Sequence, residues 1–234
     1  MTGTPLGTVH ALARRTARLR SAPALHPHGV LCRGELTVLG TAGDRRWDVP
    51  WLDRPASYPV TARWSRALGL PAPLPDGLGL ALRVTDAGGP DLPLDLLLTS
   101  SLPGRYVRHV PLPRTDALSG PYSTLVSYRT GARDRVLAAF PARDAHGTVG
   151  VTLPSLRRAL AQAPVRFTLC AAAPDEPWTP FATLTLDSAT PTPPRTTLSY
   201  DPYLNRLPHF HPTPRLSALR EAAYSGSRGG RASS

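Results

Sequence analysis

Apolar and polar residues alternate along four segments of the first hundred residues. The segments are VLCRGELTVL (30–39), PVTARWS (59–65), LGLALRVT (78–85) and PLDLLLTSS (93–101). Alternation with a period of two residues puts one face of a strand in the core and the other outside. Glycine, proline and aspartate fill the stretches between these segments, which favours turns over helices. The pattern predicts antiparallel strands joined by short loops.

The second half of the chain adds strands and helices. RVLAAFPA (135–142), VRFTLCAAA (165–173) and TPFATLTLDS (179–188) also read as strands. We interpret YSTLVSY (122–128) as a short helix and PSLRRALAQAP (154–164) as a helix capped by Ser155 and stopped by Pro164. The predicted fold is α+β, an antiparallel β-barrel of about eight strands with flanking helices and a C-terminal helix that begins near Pro214.

The pattern places these elements in one domain. We expect a basic N-terminal arm at 1–21, the barrel at 22–188, and a connector, terminal helix and basic tail of the same domain at 189–234. A chain of 234 residues and 41% hydrophobic composition is long and apolar enough to build one such core.

Charge and cysteine content narrow the classes of function. The net charge is +11, all 27 basic residues are arginine, and they are scattered along the chain, so we expect no specific nucleic-acid binding. No apolar run reaches the ~18 residues of a membrane span, and no apolar stretch follows the N-terminal arginines as in a secretory signal. We therefore expect a cytoplasmic protein without a transmembrane segment. Cys32 and Cys170 lie in alternating segments and are predicted to be buried free thiols.

Arg220 and Tyr224 lie four residues apart near the C-terminus, and so on one face of the predicted terminal helix. A packed surface pair is one interpretation. The other is chemical, because a guanidinium beside a phenol favours the phenolate, and a phenolate can ligate a metal.

The order of motifs resembles the haem catalase family, and in particular its short, divergent catalase-like members. LHPHGVLCRGELTV is similar to the segment that carries the distal histidine, with His26 in its place. TARWSRALGLPAPLPDGLGLALRV resembles the family's Arg-aromatic-Ser strand and the strand that follows it. LSYDPYLN resembles the stretch before the proximal helix, and Arg220 and Tyr224 match the Arg-x-x-x-Tyr of that helix.

The resemblance implies a cofactor and a set of site residues. It implies haem b with Tyr224 as the axial ligand of the iron, an established kind of haem ligation, and Arg220 as the charge partner of Tyr224. Arg63 and Arg228 would bind the haem propionates. His26 would move a proton between peroxide oxygens, which suits an imidazole.

Three departures from the family change the expected activity. Where active catalases have an asparagine, the matching strand reads DLLLTSS, which leaves Thr99 and Ser100 as candidate catalytic residues. The phenylalanines that usually follow are missing, and Pro23 replaces an expected basic residue. We expect a weak peroxidase that acts on hydrogen or organic peroxides with a small organic electron donor; the sequence leaves a homodimer open.

Other classes of protein stay open at this point. The chain is alternatively a catalase-derived pseudoenzyme, with or without haem. A metal-dependent hydrolase, such as a phosphodiesterase, is suggested by the paired histidines of HPHG (26–29) and HFHP (209–212). Arg63 and Asp76 are alternatively a structural ion pair.

Overall fold

The computed structural model of the protein describes residues 28–41, 46–67, 69–70, 74–142, 146–190 and 198–213. Four consecutive strands form the first half of a sheet: β1 (His28–Val38), β2 (Ala56–Arg66), β3 (Leu78–Val84) and β4 (Leu94–Ser100). Each pairs antiparallel with the next. The alternation of the first hundred residues predicted all four.

Four more strands complete the sheet: β5 (Tyr122–Thr130), β6 (Arg133–Pro141), β7 (Val165–Ala172) and β8 (Thr179–Thr190). Consecutive strands again pair antiparallel, β8 pairs with β1, and Thr99 and Ser100 of β4 pair with β5. The sheet therefore closes on itself as an up-and-down barrel of eight strands. A short ninth strand, β9 (Phe210–Pro212), pairs with the other end of β5.

The barrel interior holds the hydrophobic core. Three large aromatic side chains are buried there: Trp64, Tyr122 and Phe167. The rings of Trp64 and Tyr122 pack edge to face against Phe167, at centroid distances of 6.1 and 6.0 Å. Trp64 Nε1 donates a hydrogen bond to the Tyr122 hydroxyl over 3.0 Å, and that hydroxyl donates to the Ala117 carbonyl over 2.7 Å. The polar atoms of these large side chains are thus satisfied without solvent.

The close contact of β1 with β8 depends on a glycine. The register of the two strands shifts between Arg33 and Gly34, and a Cβ atom on Gly34 would lie 1.9 Å from the Thr185 carbonyl oxygen. Any other residue would push β8 away, so the barrel can bend here only with glycine.

Two helical predictions need correction. Residues 122–128 are not a helix but most of β5, which pairs with β6 on both sides of a register shift between Ser123 and Ser127. The helix around 154–164 exists as α2 (Leu153–Gln162), after the single-turn helix α1 (Pro50–Asp53). Its N-cap is Thr152 and not Ser155, because the Thr152 hydroxyl accepts from the Ser155 amide over 3.3 Å. The C-terminal helix predicted from Pro214 lies outside the described residues.

Candidate functional site on the outer face of the barrel

The structure describes three of the seven predicted site residues. Arg63 lies on β2, and Thr99 and Ser100 lie at the end of β4. His26, Arg220, Tyr224 and Arg228 lie outside the described residues, so their roles stay predictions.

The outer face of β1–β4 carries two rows of mostly small side chains, which we call the outer shelf. Cross-strand pairing aligns its residues in two rows: Gly29, Ser65, Gly79 and Thr99, and then Leu31, Arg63, Ala81 and Leu97. Their neighbours along each strand are buried in the core, so these residues point outward. Four strands at the usual spacing make the shelf about 14 Å wide. Ser65 and Gly79 are buried there, and the other six residues are partly buried.

Arg63 lies along the shelf and does not point away from it. A Cβ atom on Gly29 would lie 3.1 Å from Arg63 Cγ and Nε, so the missing side chain of Gly29 leaves room for the arginine. Burial lowers the pKa of Arg63, and the opposite effect of Tyr200 is smaller. Arginine nevertheless stays protonated at physiological pH. The shelf therefore contains a partly desolvated cation, which binds an anionic group more strongly than an exposed one does.

Thr99 and Ser100 occupy opposite faces of β4. Thr99 is half-buried on the outer shelf beside Gly79. Ser100 is fully buried, and its hydroxyl accepts from the Leu78 amide over 3.0 Å and donates to the Leu112 carbonyl over 2.7 Å. The Ser100 hydroxyl already has both partners, so the geometry favours Thr99 over Ser100 as a contact for a molecule on the shelf.

A buried carboxylate attaches a later segment of the chain next to the shelf. Asp95 binds Arg83 through two hydrogen bonds of 2.8 and 2.7 Å. The same carboxylate accepts from the Asp201 amide over 2.7 Å and from Asn205 Nδ2 over 2.8 Å. We call these four residues the Asp95 clamp. It positions residues 198–205, the stretch with the family-like LSYDPYLN motif, on the outside of β2–β4.

Tyr200 lies between this segment and the strands. Its ring stacks on the Arg83 guanidinium at 5.5 Å, and its hydroxyl donates to the Thr61 carbonyl over 3.4 Å. Burial raises the pKa of this phenol well above its usual range, although Arg83 and Arg63 oppose the effect. Tyr200 therefore stays neutral and forms a wall beside the second row of the shelf.

Sequence reasoning missed Asp95. The one available signal was an acidic residue within the apolar run LDLLL, at an outward position of the strand. Its partners Asp201 and Asn205 lie more than a hundred residues further along the chain. No local pattern connects them.

The structural ion pair suggested for Arg63 and Asp76 involves a different arginine. Asp76 pairs with Arg66 over 3.2 Å and also accepts from the amides of Gly69 and Leu70. This cluster fixes the loop between β2 and β3. The interpretation of Asp76 as structural is thus supported, but with Arg66 as its partner.

Among the residues that the structure describes, no three histidine, cysteine or acidic side chains group as they would around a metal ion. The paired histidines therefore give the hydrolase alternative no structural support in this part of the chain. Cys32 and Cys170 are both buried and free, as predicted. No described helix is long and apolar enough to cross a membrane.

Comparison with known proteins finds similarity in structure but not in sequence. No family model matches the chain, and no curated protein matches it in sequence. Solved catalases match it in structure. A fungal catalase superposes with a TM-score of 0.64 at 11% identity, and the match covers 88% of this chain and 58% of that catalase. Catalase A from Saccharomyces cerevisiae superposes with a TM-score of 0.63 at 11% identity, and the match covers 90% of this chain and 60% of that catalase. A bacterial catalase superposes with a TM-score of 0.63 at 12% identity, and the match covers 99% of this chain and 62% of that catalase.

The strand pairing and the structural matches together define the fold. The class is a closed, up-and-down antiparallel barrel of eight strands. Within that class the fold is catalase-like. The chain spans about three fifths of the length of the catalases it matches.

Proposed function

We propose that the protein binds haem b on the outer shelf and acts as a weak peroxidase. The observation that carries the proposal is the shelf itself: an outward face with two glycines and an alanine among its eight residues, a partly buried arginine along it, and the segment held by the Asp95 clamp at its border. Small side chains on the outer face of a strand leave room for a planar ligand to lie close to the backbone, and this composition supports the proposal.

Arg63 is the described residue that suits the charge of haem. Arg63 offers a charge-assisted hydrogen bond to a propionate, and Arg228 is proposed for the second. Tyr224, with Arg220 as its charge partner, is proposed as the residue that would hold the haem iron. Haem, when bound, supplies the redox chemistry with peroxide.

Proton movement belongs to side chains of this chain. His26, two residues before β1, is proposed to take a proton from one oxygen of the peroxide and return it to the other. The first row of the shelf begins at Gly29, three residues beyond His26, and ends at Thr99. We therefore propose that the Thr99 hydroxyl holds the second oxygen.

The proposed weak peroxidase activity follows from the limited ability of the Thr99 hydroxyl to position an oxygen atom. A hydroxyl on a rotatable side chain positions an oxygen less firmly than the asparagine amide of active catalases, and positioning contributes much of an enzyme's rate. We therefore propose that hydrogen and organic peroxides are reduced at the expense of a small organic donor, and that release of oxygen is the minor reaction.

Reconstitution tests the proposal. The purified protein is titrated with haem, and oxygen evolution and peroxide-dependent oxidation of a phenolic donor are assayed in parallel. The wild type should take up one haem per chain and favour peroxidase turnover. Tyr224→Phe should lose the axial ligand, and His26→Ala should bind haem normally but lose most turnover.

Three results would contradict the proposal. Equal peroxidase rates in the wild type and His26→Ala would remove His26 from the reaction. An unchanged haem spectrum in Tyr224→Phe would exclude the proposed ligand. Absent haem uptake would leave a catalase-like fold without the cofactor.

A further inference from the structure

We propose that the loop between β4 and β5 docks the protein on an anionic membrane surface. This inference does not depend on haem. The apolar loop, as we call residues 102–110, exposes four large hydrophobic side chains: Leu102 (41%), Tyr106 (79%), Val107 (39%) and Val110 (55%). In the described part of the chain eight large hydrophobic side chains are exposed, so half of them lie in these nine residues. Such a cluster marks an interaction site.

Contacts of Arg108 and Trp178 attach the apolar loop to the barrel. Arg108 is buried, its guanidinium lies 4.5 Å from the centre of the Trp178 ring, and it donates to the Arg105 and Ala172 carbonyls. Trp178 Nε1 donates to the Pro103 carbonyl over 2.8 Å. The Arg108 side chain thus faces the barrel, and the four apolar side chains face solvent. A loop ordered in advance pays little entropy when it binds.

The charge around the loop favours an anionic partner. Residues 102–115 contain two exposed basic side chains, Arg105 and His109, two buried arginines, Arg108 and Arg114, and no acidic residue. The nearest turn carries Asp175 and Glu176, which bind Arg133 and Arg135 at 2.6 to 2.7 Å. Those carboxylates are therefore largely neutralised. The whole chain carries +11, so its field adds to the attraction.

The small size of the apolar tip favours lipid over a protein partner. A stable protein interface buries about 800 Å² on each partner, and four side chains on one loop supply only part of that area. A bilayer needs less, because shallow insertion of a few apolar side chains combines with attraction to anionic headgroups. An exposed tyrosine at the tip also suits the interface between headgroups and acyl chains.

Vesicle binding tests the inference. Wild type is mixed with vesicles of phosphatidylcholine alone or of phosphatidylcholine and phosphatidylglycerol, and bound protein is measured by flotation. We expect binding to the anionic vesicles only. The double variant Tyr106→Ser/Val110→Ser should lower the partition coefficient about tenfold. Arg105→Gln should lower it about fivefold at low salt.

A control variant removes two exposed apolar side chains elsewhere. Leu39 and Leu92 are exposed to 50% and 59%, and Leu39→Ser/Leu92→Ser should bind vesicles like the wild type. Tyr106→Trp provides a second readout that keeps the apolar tip. Brominated acyl chains should quench its added fluorescence and leave that of Leu39→Trp unchanged.

Several outcomes would overturn the inference. Equal partition of wild type and Tyr106→Ser/Val110→Ser would show that the apolar loop is not the contact, and so would binding of neither vesicle type. A dimer in sedimentation equilibrium that the loop variant abolishes, with no vesicle binding, would assign the loop to a second copy of this chain. Unquenched Tyr106→Trp fluorescence on bound vesicles would exclude insertion.

Discussion

At the scale of single residues, Arg63 is the described side chain most closely tied to the proposed cofactor. Its guanidinium lies over Gly29 and is partly removed from solvent, which strengthens any bond to an anionic group. Arg63→Gln should lower haem affinity about tenfold or more, the effect of losing one charge-assisted hydrogen bond.

A modified ligand and a neighbouring arginine control for this prediction. Haem dimethyl ester has no propionate charge, so Arg63→Gln should bind it as the wild type does. Arg33, one row beyond the shelf and exposed, should tolerate the same substitution. Loss of affinity for haem and its ester in equal measure would mean that Arg63 acts through packing alone.

The two cysteines give a second prediction at this scale. Burial raises the pKa of Cys32 from 9.0 to about 12 and that of Cys170 to about 11. At pH 9 the ratio of thiolate to thiol at Cys32 is therefore about a thousandfold lower than in the unfolded chain. Alkylation followed by peptide mass spectrometry should find Cys32 protected until the protein unfolds, and Cys170 labelled sooner.

The sign of the pH effect follows from these shifts. A raised pKa means that folding favours the neutral thiol, so this contribution to stability is present below pH 9 and is lost as the pH rises towards 12. Native Cys32 that reacted as fast as in urea would show that β1 opens readily.

At the scale of elements, the Asp95 clamp joins β3 and β4 to residues 198–205. Asp95→Asn would leave Arg83 with a weakened partner and a buried amide in a site built for a carboxylate. We expect a loss of about 3 kcal/mol in the free energy of unfolding, the lower end for breaking a buried pair, because Arg83 keeps some solvent contact. Urea unfolding measures this loss.

An exposed ion pair serves as the control for the clamp. Arg129 and Asp134 pair over 3.1 Å with both side chains well exposed, so Asp134→Asn should cost less than about 1 kcal/mol. Asp95→Asn should also speed hydrogen exchange, relative to the wild type, more in residues 198–213 than in the rest of the chain. Equal losses in the two variants would refute a special role for the clamp.

The strands were predictable from sequence to different degrees. Alternation was enough for β1–β4, because one face packs in the core and the other does not. It failed for β5 because the register against β6 shifts between Ser123 and Ser127, and Leu125 has a positive φ of 59°. A bulge of this kind interrupts the period of two and made the segment read as a helix.

At the scale of the whole molecule, the catalase-like fold was predictable, whereas the site was only partly so. The order of motifs from β1 to residues 198–205 led to the fold at a level of identity near 11%. The shelf was not predicted, because its eight residues come from four strands and meet only through the register of the barrel. The separation of Thr99 from Ser100 likewise depends on which face of β4 is buried.

The proposed function depends most directly on the shelf as the site of haem. Ala81 lies in its second row, between Arg63 and Leu97, with its side chain directed outward. Ala81→Leu would place an isobutyl group on the outer shelf with little effect on the core. Thr183→Leu places the same group on the outer face of β8, on the other half of the barrel, and is the matched control.

Haem titration of these two variants beside the wild type is the decisive measurement. The shelf predicts that the wild type and Thr183→Leu bind one haem per chain with the same affinity and that Ala81→Leu loses affinity about tenfold or more, because overpacking of a fitted surface costs about 1–3 kcal/mol. All three proteins should unfold at nearly the same urea concentration. Equal haem affinity in all three, with Ala81→Leu correctly folded, would contradict the assignment of the outer shelf as the haem site.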